Sequence, residues 1–158
     1  MRKKVGSEVS SCELPARTSK VRKTRESNAC AFYKHRKGFR WTGIRGEPYK
    51  QKSGDWANIV RKVLIGSHGE STKFHVRYFE IFPGGNSSLE RHRHEHVVIC
   101  VRGEGVVLTG RLRRRMGFMD TVYISPDTPH QFLNPYGKPF GFLCIVNARR
   151  DRPKLIRT

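Results

Sequence analysis

The chain has 158 residues, 36% of them apolar, and carries 32 Lys and Arg against 13 Asp and Glu, a formal charge of +19. That length supports one hydrophobic core, and no second globular domain is expected. No stretch reaches the roughly 18 to 20 consecutive apolar residues that span a bilayer, and Met1-Arg2-Lys3-Lys4 leads into polar sequence rather than an apolar signal core, so a soluble, cytoplasmic protein without a membrane partner is expected.

Residues 1–30 are rich in Ser, Lys, Arg and Glu with almost no large apolar side chains, which predicts a disordered basic tail. In residues 31–55 the aromatics Phe32, Tyr33, Phe39, Trp41 and Tyr49 alternate with Lys, Arg and Gly, a composition suited to docking on the folded core or on a dimer partner. The Val and Ile content of 56–65 predicts a strand there, and a second over 74–82 ends at Pro83-Gly84-Gly85. Further strands are expected over 88–101, 104–109, 112–116, 120–124, 129–134 and 140–147, divided by Gly, Pro, Asn and Asp. Short strands at this pitch, with no helical period, predict an all-β barrel or sandwich over 56–150, and 151–158 reads as a short basic tail. Cys12, Cys30, Cys100 and Cys144 lack C-x-x-C spacing; Cys100 and Cys144 fall in apolar runs and read as reduced core thiols.

Glu90, His92, His94 and His96 recur with a period of two just ahead of the apolar run Val97-Val98-Ile99-Cys100. Side chains alternate across a strand, so all four share one face, with Arg91, Arg93 and Glu95 on the other. Together with His130 they supply enough nitrogen and oxygen donors for one divalent transition metal. Alternation alone leaves His92, His94 and His96 as one candidate set.

The spacing resembles the cupin superfamily of small double-stranded β-helix barrels, related to jelly rolls. Gly84, five residues, Glu90, one residue, His92, three residues, His96, six residues and Gly103 reproduce the first cupin motif, with Glu and His exchanged at the first and third ligand positions. His130 and Asn134 keep the separation of the second motif, while Met119, Ser125 and Asp127 stand where the family has Gly, Pro and Gly. The resemblance covers about residues 56–147 and implies a mononuclear site held by Glu90, His92, His96 and His130, with His94 as the weaker candidate. Such a shell suits Fe, Mn, Ni, Co, Zn or Cu, and the ligand list does not choose among them.

The resemblance further implies a metal-dependent protein acting on a small polar molecule or organic acid. As an enzyme it would be a dioxygenase-like oxidoreductase first, an isomerase or lyase next; no catalytic residue is assigned. The alternative is a non-catalytic metal- or ligand-binding module whose basic tail attracts polyanions. A homodimer is expected by the same resemblance. Arg77, Tyr78 and Phe79 lie on a strand that would border the metal, as would Tyr123 and Gln131, and an inward Arg would favour a carboxylate or phosphate. His75 reads as structural, and His35 and His68 carry no role. Arg111, Arg113, Arg114 and Arg115, with the basic tail, would give non-specific nucleic-acid attraction, but no base-reading motif accompanies them.

Overall fold

The computed structural model describes residues 30–50 and 55–156; the tail expected over 1–30 therefore lies, except for Cys30, outside the described residues. Among those described there is no helix, and so none long and apolar enough to cross a membrane. The strands are β1 (His35–Arg36), β2 (Arg40–Trp41), β3 (Glu47–Pro48), β4 (Ala57–Ile65), β5 (Phe74–Asn86), β6 (Glu90–Arg91), β7 (His96–Arg102), β8 (Gly105–Thr109), β9 (Leu112–Met116), β10 (Thr121–Ile124), β11 (His130–Leu133), β12 (Phe140–Asn147) and β13 (Lys154–Leu155). All pairings are antiparallel, along the path β10-β7-β12-β5-β11-β6-β13, with β4 on β5, β3 on β4, β8 on β11 and β9 on β8. The result is a nearly closed barrel.

Alternation along β5, β7, β11 and β12 sends Phe79, Ile81, Val98, Phe132, Phe142 and Val146 into one core. Its centre is an aromatic stack in which Phe142 lies 4.7 Å from Phe132 and 5.4 Å from Phe79 between ring centroids. The opposite face of β5 is also covered. Tyr78 is fully buried beneath Phe39, stacked at 5.3 Å, and Trp41, at 5.1 Å, and its hydroxyl donates to Glu80 at 2.6 Å. The β1–β2 hairpin thus lids the outside of the sheet, and β3 extends its edge.

Two strands differ from their sequence reading. The second runs through Pro83-Gly84-Gly85 to Asn86, because β5 changes partner there: its pairing with β12 ends at Ile81, and it next meets β11 at Asn86 opposite Leu133. A proline at that switch forfeits no ladder hydrogen bond. The single strand expected over 88–101 is broken into β6 and β7 by a turn over 92–95, whose backbone bonds elsewhere. Asp127 N–H donates to the His92 carbonyl at 2.7 Å, and the N–H groups of Arg93 and His94 donate to the Asp151 carboxylate.

The atypical second motif keeps the backbone shape that glycine would serve. Met119 and Asp127, at the two expected glycine positions, have φ of 68° and 58°. A left-handed conformation costs a side-chain-bearing residue roughly 1–2 kcal/mol, against about 0.5–1 kcal/mol for the extra freedom glycine loses on folding. Met119 is exposed and buries little. Met119→Gly is therefore expected to stabilise the fold by about 0.5–1 kcal/mol, read as a higher urea midpoint at unchanged slope; a lower midpoint would contradict the strain.

Candidate metal centre

Four elements deliver the site. The turn between β6 and β7 carries His92 and His94, the start of β7 carries His96, and β11 opens on His130, whose backbone pairs directly with Glu90 of β6. Burial alternates through the turn as it would in a strand: Glu90, His92, His94 and His96 are all buried, and the residues between them are exposed.

His92, His96 and His130 form a group whose ligand atoms all lie within 4.8 Å of one another. Their tautomers follow from their partners. Nδ1 of His92 lies 2.7 Å from the His94 carbonyl and Nδ1 of His130 lies 2.8 Å from the Thr128 carbonyl. A carbonyl can only accept, so each Nδ1 carries the proton and each Nε2 presents a lone pair. His96 has Nδ1 at 3.3 Å from Cys144 Sγ, and its Nε2 is buried without any hydrogen-bond partner. Burial, followed by the fields of His130 and His92, pushes the His96 imidazole down to about 2. Burial also lowers His92, helped by His94 and His130, and lowers His130. Three neutral imidazoles turned toward one point are the donor set a divalent cation requires, so the residues present fit a metal.

Glu90 and His94 are placed differently. Glu90 lies beside the group with its carboxylate in an ion pair with Lys50, whose Nζ also donates to Ser88 Oγ at 2.9 Å. His94 stacks on His92 at 3.6 Å between centroids, and its Nδ1 bonds Asp151 Oδ1 at 2.8 Å. It therefore buttresses His92 from outside the three-histidine group. Asp151 accepts from Arg93 N–H and from His94, and these bonds hold its carboxyl below the ordinary range.

The histidines open onto a cavity of about 530 Å³, the size of a small-molecule site, walled by Phe79, Phe132 and Phe142 and rimmed by Arg152, Pro153 and Leu155. Arg77 and Phe79 face this cavity, and Tyr78 faces the β1–β2 hairpin. Tyr123 is exposed, and Gln131 spends its amide on the Ser87 carbonyl; neither lines the cavity. Cys100 is sealed in the core, whereas Cys144 reaches the cavity wall, where burial raises its thiol. His75 meets Arg150 at 3.2 Å, and His35 packs on Phe39 and Trp41, outside the cavity. The sequence reading missed Lys50, Arg61, Arg150, Arg152 and Asp151. Parity with Ile59 on β4 could have placed Arg61 inside, but nothing local marks the others.

A cupin domain model matches residues 77–146. A protein from Rhodospirillum rubrum named 1-methylthio-D-xylulose 5-phosphate methylsulfurylase is 40% identical over 118 residues, covering 74% of each chain. Among solved structures, a cupin 2 conserved barrel domain protein from Rhodopseudomonas palustris is 39% identical with a TM-score of 0.73, over 79% of this chain and 86% of that one. A cupin-2 domain from Rhodospirillum rubrum is also 39% identical, with a TM-score of 0.70, over 75% and 79%. The fold and its buried histidine group define a small β-barrel with a possible metal site. The chain belongs to the cupin superfamily, as a small single-domain member.

Proposed function

We propose that this cupin is a metal-dependent enzyme acting on a small phosphorylated keto sugar, 1-methylthio-D-xylulose 5-phosphate or a close analogue, with His92, His96, His130 and Glu90 as metal ligands. The observation that carries the reading is the buried, unpartnered Nε2 of His96 among neutral His92 and His130, opening on a cavity of about 530 Å³. The Rhodospirillum rubrum relative, similar over three quarters of the chain, favours sugar-phosphate chemistry over the dioxygenase-like reaction that the motif alone ranked first.

A bound divalent ion would supply Lewis acidity, polarising a carbonyl oxygen of the substrate. The chain supplies the rest. The carbonyls of His94 and Thr128 fix the rings of His92 and His130, and the Asp151–His94 pair supports His92 from behind. Lys50 neutralises Glu90 when no ion is present and places an ammonium beside the site. Phe79, Phe132 and Phe142 keep water from the inner wall, which strengthens polar interactions within the cavity.

The test is to purify the protein without an affinity tag, measure its metal content and incubate it with 1-methylthio-D-xylulose 5-phosphate, offering water, a thiol or an amine as acceptor. The methylthio proton resonance is followed by NMR. Loss or movement of that signal, abolished by a chelator and by His92→Ala, is expected. An unchanged spectrum with the metal-loaded protein would refute the substrate.

A further inference from the structure

The cavity wall carries a cluster of cations that the histidines do not explain. Arg61 of β4 and Arg77 of β5 lie on the same inward face, diagonally across the ladder in which Arg61 pairs with Phe79 and Val63 with Arg77. Arg150, just beyond β12, joins them on the cavity wall. Its guanidinium is held by the carbonyls of Asn147 and Ala148 and by His75.

The charge here is not balanced. Arg61 pairs with Glu47 at 2.9 Å on the solvent side. Among the described residues, Arg77 meets the thiol of Cys144 at 3.1 Å and the ring of Phe79 at 5.3 Å, and neither it nor Arg150 has a carboxylate partner. The Nε atoms of both Arg61 and Arg77 are buried without hydrogen-bond partners. The arginines also feel one another: burial first, then the charges of Arg77 and Arg61, lowers the Arg150 guanidinium. Arg150 is exposed and solvated, but the buried Nε donors of Arg61 and Arg77 are unfavourable unless an acceptor completes them, and planar guanidinium forks match the oxygens of a phosphate.

We propose that Arg61, Arg77 and Arg150 form an oxyanion subsite that takes the phosphate monoester of the substrate, on the cavity wall beside the histidine group, which Arg77 meets through the thiol of Cys144. The assignment rests on the sugar-phosphate reading above and deepens it, since it names the side chains that would hold the phosphate end of such a substrate. A dianion suits three guanidiniums sharing one surface carboxylate better than a single carboxylate would.

The experiment is a calorimetric titration of the metal-free protein with inorganic phosphate, at roughly 0.15 M salt, where the field of the exposed arginines is largely screened. One saturable site is expected. Arg77→Met and Arg150→Met should each weaken it about ten- to a hundredfold, the size of a lost charged hydrogen bond. Arg114→Gln, on the exposed β9 strand, should leave it unchanged. Using two arginine variants guards against one that fails to fold. Absence of a saturable site, equal weakening by Arg114→Gln, or acetate competing as well as phosphate would overturn the subsite. Phosphate bound as described by a protein inert toward the methylthio sugar phosphate would support the subsite and sink the proposed reaction.

Discussion

His96→Leu is expected to abolish metal binding while leaving the metal-free protein as stable as before, or more stable by about 1 kcal/mol. The Nε2 of His96 is buried with no partner. An orphaned buried polar atom costs roughly 1–3 kcal/mol, and a leucine of similar bulk has no such atom to desolvate. A residue that weakens the empty fold while pointing at two other neutral imidazoles is placed for a ligand rather than for packing. Elemental analysis after reconstitution should show His92→Ala, His96→Leu and His130→Ala losing at least about a hundredfold in affinity, beyond the 10–100-fold typical of outer-shell losses. His94→Ala and Asp151→Asn should fall at or below that outer-shell range, because they act through the His92 ring. Glu90→Gln decides whether the carboxylate leaves Lys50 for the ion: a loss as large as that of His92→Ala makes it a ligand. Undiminished metal in His96→Leu would remove the centre altogether.

The barrel was legible in the sequence because its strands are short, alternate cleanly and are punctuated by Gly, Pro and Asp, and each local signal agrees with the fold. The row from Glu90 to His96 was legible for the same reason: a period of two survives in the burial even where the chain turns. What alternation could not convey is that His94 stands outside the three-histidine group and bonds Asp151, which lies 57 residues from it and gives no local sign that it will return to the turn. Lys50 and Arg150 are likewise brought to the cavity by the closure of the barrel. The positive φ at Met119 and Asp127 shows why the weakened second motif still forms its turns: the backbone shape is retained while the residues that most easily adopt it are absent.

The metal-free protein is expected to lose stability steeply as the pH falls below about 6.5, well above the range in which carboxylates titrate. The sign follows from the histidines. His92, His96 and His130 are held below the ordinary value of 6.5, so below that pH the unfolded chain binds protons that the folded chain refuses. Stability is therefore full above 6.5 and declines as the pH falls toward the folded values; for His96 this window extends down to about 2. Each such proton contributes a slope of roughly 1.4 kcal/mol per pH unit. Asp151 acts in the same direction but lower, since its depressed carboxyl stabilises the fold above its ordinary 3.8 and releases that contribution only as the pH falls through its folded value. Urea midpoints measured between about pH 8 and pH 5 should consequently fall in the upper window, with a shallower slope in His96→Leu by about one proton. A flat profile between about pH 7 and pH 5 would contradict neutral buried imidazoles. Protons and a metal ion compete for the same Nε2 atoms, so a reconstituted protein should resist acid further than the metal-free one and should release its ion as that resistance fails.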